Sequence, residues 1–378
     1  MDGYCFPIFF DEHRFKNHTP MSVVWGYWHY LTRPSERAGR IDYLDGVRGW
    51  ASLIVMLFHS ITHMGVRHPM AYGALLDGRL AVWVFFAVSG FSLALIRDER
   101  AVTRTALARW PRLAIPCLFH GLIATASEPR FAAVNIVGSV LLAFFPPSGT
   151  LPNNVAHKDL MRLYQVSMDH NGHLWTMQYE ITGSALVFFH TFTSRHATLP
   201  WWAAVVAAFL MYIFNPVFGY FLVGAAASRL WVECNKPVVT AVAVAFLVGI
   251  EYVPVFNSWV YSMLTIVQLA SMFVVLATSP HARAALSCRL STFMGRISFS
   301  LYLCHPYIIR FAVANTPAAA VAPITIVASL LWATSTAWID RWAISITKRG
   351  ADYFMIDAAS MNDKLVLPCD PPPEAVSV

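Results

Sequence analysis

Long apolar stretches separated by short polar turns run through almost the whole chain. They lie near 47–64, 80–96, 109–126, 174–193, 198–214, 216–232, 238–252, 259–278, 295–313 and 321–346. Each approaches the roughly 20 residues that a helix needs to cross a bilayer. The pattern predicts an all-α, polytopic transmembrane helical bundle of about ten spans. One more apolar stretch, 131–145, is short and bounded by Pro129 and by Pro146-Pro147. A few spans carry ionisable residues at membrane depth. Arg48 opens "VRGWASLIVMLFHSITHM" and His59 lies inside it, and Glu180 and His305 repeat the pattern in later spans. Such groups are costly in hydrocarbon and mark functional sites. They predict a membrane enzyme or transporter.

Composition agrees with that class. Of 378 residues, 57% are apolar and only 13% charged, against roughly 25% charged in soluble domains. Mean hydropathy is +0.52. The net charge of +6 is what cytoplasmic loops collect, and it calls for no nucleic-acid partner. Cys5, Cys117, Cys234, Cys288, Cys304 and Cys369 are scattered without a C-x-x-C pair. They are expected as free thiols, with no metal cage. "YCFPIFF" is too short for the apolar region of a signal peptide. Residues 1–46 are read as a cytoplasmic tail, 47–346 as the transmembrane domain, and 347–378, ending in "PCDPPPEAVSV", as an unstructured cytoplasmic tail.

Charge decides how 131–145 is treated. If it does not cross, one side of the membrane carries 20 Lys and Arg, counting Arg341 with the C-terminus, and the other carries 5. If it crosses, the loops after it flip and the counts become 12 and 13. The positive-inside rule favours the first arrangement. It predicts ten spans, both termini cytoplasmic, 131–145 re-entrant or interfacial, and the 146–173 loop lumenal or exterior.

The polar residues suggest chemistry. His59 lies eleven residues beyond Arg48, roughly 16 Å along a helix axis, near the bilayer midplane. An imidazole there can take a proton from a hydroxyl. The structural alternative is a packed histidine bonded to a backbone carbonyl. His63 lies one turn on. Arg109 and Arg112 flank Trp110-Pro111 at a cytoplasmic mouth. Two guanidinium forks suit a phosphate-bearing ligand, and stop-transfer charge is the plainer alternative. His170 and His173 precede Trp175 at the lumenal end of the fourth span. Glu180 needs a partner, such as Arg48, a histidine or a proton, and can serve structure as well as catalysis. His305 can bond a carbonyl loosened by Pro306 or wall a buried site. Ser89-Gly90, among large apolar groups, suggests close helix packing.

Five segments in order resemble the acyltransferase-3 family of multi-pass membrane acyltransferases, closest to its fungal style. They are "YLDGVRGWASLIVMLFH", "VFFAVSGFSLALI", "RWPRLAIP", "HLWTMQYEITGSALVF" and "ISFSLYLCHPYII". The resemblance implies transfer of an acyl group, commonly acetyl, from acyl-CoA to a hydroxyl of a small molecule, lipid or glycan, specialised metabolites included. It implies His59 as the catalytic base, with Arg48 and Glu180 in the catalytic set. Arg109 and Arg112 would bind the acyl donor, and Ser89, His173, Trp175 and His305 would line or support the site. It implies acyl-CoA as co-substrate, no bound cofactor and no metal. It places the protein in an endomembrane or plasma membrane of a fungus. Where many bacterial relatives have two adjacent acidic residues, this chain has Tyr179-Glu180, which puts any role for a carboxylate pair in doubt.

Two other classes compete. One is a proton-coupled transporter using His59, Glu180 and His305 as a relay; transporters usually carry repeats with paired broken helices, and none is evident. The other is a bis-histidine haem protein using His120 and His190, which a missing Soret band would dismiss.

Overall fold

The computed structural model describes residues 41–63, 76–96, 98–127, 172–196, 206, 215–253 and 258–365. Among them are ten α-helices and no strand. They are α1 (Asp42–His63), α2 (Gly78–Ala94), α3 (Glu99–Ser127), α4 (Trp175–His196), α5 (Pro216–Arg229), α6 (Pro237–Gly249), α7 (Ser258–Thr278), α8 (Pro280–Leu286), α9 (Arg289–Asn315) and α10 (Ala318–Leu365). The tails 1–40 and 366–378, the 131–145 stretch, the loop through 171 and most of the expected 198–214 span lie outside the described residues.

Helix ends follow local chemistry. Asp42 and Asp45 sit in the first turn of α1, where carboxylates favour the helix dipole. Asp77 caps α2 by accepting from the backbone N–H of Arg79 and Leu80 at 2.7 and 3.2 Å. Asn215 caps α5, with Pro216 following as its first residue. α10 runs 48 residues. Residues 347–365, expected as unstructured tail, are therefore helical. The polar run after 346 stops a hydropathy reading without stopping a helix.

The first and ninth helices make the broadest contact, and α2 with α5, α9 with α10 and α3 with α10 follow. Glycines let the backbones approach. A Cβ on Gly49 would lie 2.5 Å from the Gly295 nitrogen, and one on Gly295 would lie 2.3 Å from the Asp45 carbonyl oxygen. The α2–α5 crossing uses Gly90 and Gly224 in the same way: their added Cβ atoms would fall 1.9 Å from Phe221 O and 1.8 Å from Ala87 O. Both clashes are with backbone, so no rotamer relieves them. Gly90→Ala or Gly224→Ala is expected to destabilise the bundle by about 3 kcal/mol. A lower thermal-aggregation midpoint of the purified protein checks this, with Gly350→Ala, which meets no atom within 4 Å, as control.

The outside of the bundle is apolar. Val238, Val242 and Phe246 of α6 and Leu331 of α10 are exposed, a surface suited to lipid. The segments Val260–Thr278, Arg289–Asn315 and Ala318–Met355 are long and apolar enough to span a membrane.

Candidate active site

Two of the cavities among the described residues differ in chemistry. The first is about 230 Å³ and is lined by α1, α2, α3, α4, α9 and α10. Its wall holds Arg48, Arg109, Arg112, Arg296 and Arg341, with Asp45, Glu180 and Asp340 as the carboxylates. Arg109 is buried, and its Nε donates to Ser184 Oγ at 2.9 Å and a terminal nitrogen to Ser89 Oγ at 2.8 Å. The same nitrogen pairs with Glu180 Oε1, to which Ser89 Oγ also donates. Glu180 and Ser184 stand one turn apart on α4, so both face the guanidinium. Arg48 donates to Asp45 Oδ1 at 3.3 Å and to Ser92 Oγ at 3.0 Å, tying α1 to α2. Arg112 lines the cavity and has no hydrogen bond or ion pair among the described residues. Asp340 accepts from Ser300 Oγ at 2.9 Å through Oδ2, while its buried Oδ1 has no hydrogen-bond partner among the described residues. An excess of guanidinium forks, one of them uncommitted, suits a ligand with several anionic oxygens.

The second cavity is about 430 Å³ and is lined by His59, His173, Trp83, Trp175, Arg79 and Arg310 among others. His59 Nδ1 lies 3.0 Å from His305 Nε2, and the two rings stack at 5.3 Å between centroids. His305 Nδ1 lies 3.2 Å from the Leu301 carbonyl oxygen. A carbonyl only accepts, so His305 carries its hydrogen on Nδ1 and offers the Nε2 lone pair to His59. His59 then donates from Nδ1, and its own basic nitrogen is Nε2. Pro306, lacking an N–H, loosens the helix beside this pair. His173 stands in the short 3₁₀ turn Gly172–Leu174 that leads into α4. Its ring is 6.3 Å from that of His305. Tyr302 donates to the His173 carbonyl at 2.7 Å. Val82 and Tyr302 line both cavities and form their common wall.

A protein-family model described as an acyltransferase domain matches residues 41–339, from the start of α1 into the first half of α10. The chain belongs to the acyltransferase-3 family. No curated protein and no solved structure matches it. Family membership makes it a membrane acyltransferase, an integral multi-pass protein that uses an acyl donor and an acceptor.

Within this acyltransferase the expected site residues fall into two groups. Arg48, Ser89, Arg109, Arg112 and Glu180 line the arginine cavity. His59, His173 and Trp175 line the histidine cavity, with His305 bonded behind His59. Arg48 and Glu180 were expected in one catalytic set with His59; the arginine cavity holds the first two and the adjoining histidine cavity the third. Eleven residues are three helical turns, so the two ends of R-x10-H open on different cavities. Glu180 finds its partner in Arg109, not in Arg48 or a histidine. The three-residue relay of the transporter reading is therefore not assembled. His305 bonds His59 directly, a closer relation than that of the wall residue it was read as. The side chains of His63 and His170 lie outside the described residues. Asp340, Arg296 and Arg341 were missed. Asp340 sits inside the expected 321–346 span, and a carboxylate at that depth should have drawn the same notice as Glu180. The two arginines read as ordinary inside-loop charge.

Proposed function

We propose that the protein transfers an acyl group, acetyl in the simplest case, from acyl-CoA to a hydroxyl of a small molecule, lipid or glycan. The observation that carries this is the pair of adjoining cavities, one rich in arginine and one holding the His59–His305 pair. The donor's phosphates bind in the arginine cavity, with Arg112 meeting them directly and Arg109 held in place by Glu180. The thioester arm reaches past Tyr302 and Val82 toward His59. The acceptor enters the histidine cavity.

His59 Nε2 takes the proton of the acceptor hydroxyl as its oxygen attacks the thioester carbonyl carbon. His305 accepts the Nδ1–H bond, which orients His59 and supports the imidazolium that forms. The tetrahedral intermediate collapses, the C–S bond breaks, and His59 returns the proton to the leaving thiolate. The products are an ester and free coenzyme A. Comparing metabolites and glycans from cells with and without the gene tests the reading by mass spectrometry. A product lacking one acyl group in the deletion is expected. Unchanged acylation across all classes contradicts it.

The same proposal puts both termini on the cytoplasmic side and the 146–173 loop opposite, on the charge asymmetry of the loops. In a cysteine-free background, a cysteine placed at Ser148 or Asn153 should resist an impermeant thiol reagent applied from the cytoplasmic side of sealed vesicles. Ready labelling supports a crossing at 131–145 instead.

A further inference from the structure

The histidine cavity has a chemical bias that the transfer reaction does not require. Arg79 and Arg310 lie on its wall, and no carboxylate is among its described lining residues. Arg310 sits 5.2 Å over the Tyr307 ring, and Arg79 sits 4.9 Å over the Tyr261 ring. Arg79 Nε is 3.8 Å from Asp77 Oδ1, a carboxylate already engaged in capping α2. A second observation is independent of these charges. His173 lines the cavity, is more than nine-tenths buried, and has no hydrogen-bond partner among the described residues on either ring nitrogen. Buried polar atoms in native structures are rarely left so, and a ligand is one of the things that completes them. A third is the aromatic wall, where Trp83 and Trp175 meet edge to face at 5.9 Å. The many hydroxyl donors of a neutral polyol call for several acceptors, among which carboxylates are the strongest. This cavity offers cations, an uncompleted imidazole and indole faces.

We propose that the acceptor is amphipathic and acidic: a hydroxyl placed at His59, a flat or apolar body against Trp83 and Trp175, and a carboxylate or phosphate toward Arg310 and Arg79, with His173 bonding between them. The proposal rests on the reading of this cavity as the acceptor site. The acidic group can belong to a soluble hydroxy acid or to a lipid headgroup, and its chemistry is the same.

Binding tests it without requiring turnover. The purified protein in phosphatidylcholine nanodiscs is titrated with 4-hydroxybenzoate and with the uncharged 4-hydroxybenzyl alcohol, following tryptophan fluorescence. The anion is expected to bind at least about tenfold tighter, the size of one charge-assisted contact. Arg310→Gln should remove most of that preference and Arg310→Lys should keep part of it. Arg79→Gln, at a side chain 67% exposed and so safe for folding, should lower it by about threefold. Arg100→Gln, at an exposed arginine in the first turn of α3 that lines neither cavity, should leave it unchanged. Equal binding of the two probes, or a preference that survives in both the Arg310→Gln and Arg79→Gln variants, overturns the proposal. Phosphatidylglycerol added to the nanodisc competes with 4-hydroxybenzoate if the natural anion is a lipid phosphate; no competition supports a soluble acid. An anion-selective cavity in a protein that transfers no acyl group counts against the transferase reading alone. Acylation of a neutral acceptor with no anion preference counts against this proposal alone.

Discussion

His59→Gln is expected to lower turnover by about 10²–10⁴-fold, the range for loss of a general base, while folded protein is retained. The tautomers of the two histidines fix which nitrogen is basic. Leu301 holds the His305 proton on Nδ1, and His305 holds the His59 proton on Nδ1, so Nε2 of His59 is the basic nitrogen. Glutamine keeps a hydrogen-bond donor toward His305 but supplies no base. His59→Ala should be equally inactive. His305→Ala should be intermediate, because it leaves the base but removes its orienting acceptor, and His305 is fully buried. His305→Gln can accept from His59 through its amide oxygen and should recover part of kcat. His63→Ala, outside the motif, should be mild. Near wild-type transfer in His59→Gln with loss in His63→Ala would move the base to the other histidine. The readout is ester formation per mole of folded protein, so that folding losses are separated from chemistry.

The second large effect separates two arginines that look alike in sequence. Arg109 is buried and committed to Glu180, Ser89 and Ser184. Arg109→Gln leaves the Glu180 carboxylate, only 14% exposed, without its cation, a defect worth about 3 kcal/mol. It is therefore expected to lose folded protein before any kinetic constant can be measured. The double variant Arg109→Gln, Glu180→Gln removes both charges and should recover much of the yield. Arg112 has no such commitment. Arg112→Gln should fold normally and raise the donor KM by about tenfold, with Arg112→Lys recovering only part, because the fork is lost. An unchanged donor KM in Arg112→Gln would take this residue out of the donor site. Normal yield of Arg109→Gln would show that the ion pair is dispensable.

The spans were largely legible. The expected 259–278 and 80–96 stretches correspond to α7 (Ser258–Thr278) and α2 (Gly78–Ala94), displaced by no more than two residues. Apolar runs bounded by Asp77, or by Asn215-Pro216, carry both the hydropathy and the cap. What hydropathy misses is helix that leaves the apolar run. α3 starts at Glu99 rather than 109, α9 at Arg289 rather than 295, and α8 was read as loop. Their extra turns are polar or short and give no apolar signal.

The candidate residues were visible because ionisable groups are conspicuous in apolar runs. Their grouping was not. His59 and His305 are 246 residues apart, and their meeting depends on the α1–α9 crossing that Gly49 and Gly295 permit. Likewise nothing in the local spacing says that Glu180 answers Arg109, or that Arg48 opens on a different cavity from His59. Those facts belong to helix packing, which one sequence does not display. Asp340 was the exception: its position inside an apolar run was a readable signal.

The most direct test supplies purified protein with acetyl-CoA carrying a deuterated acetyl group, together with a metabolite extract from cells lacking the gene. Mass spectrometry then follows the label. The account predicts that deuterated acetyl appears on an oxygen as an alkali-labile ester, with one free coenzyme A thiol released per ester, and that neither forms with His59→Gln. Label that stays on the thioester, or that appears only as free acetate at the same rate in wild type and His59→Gln, would contradict it.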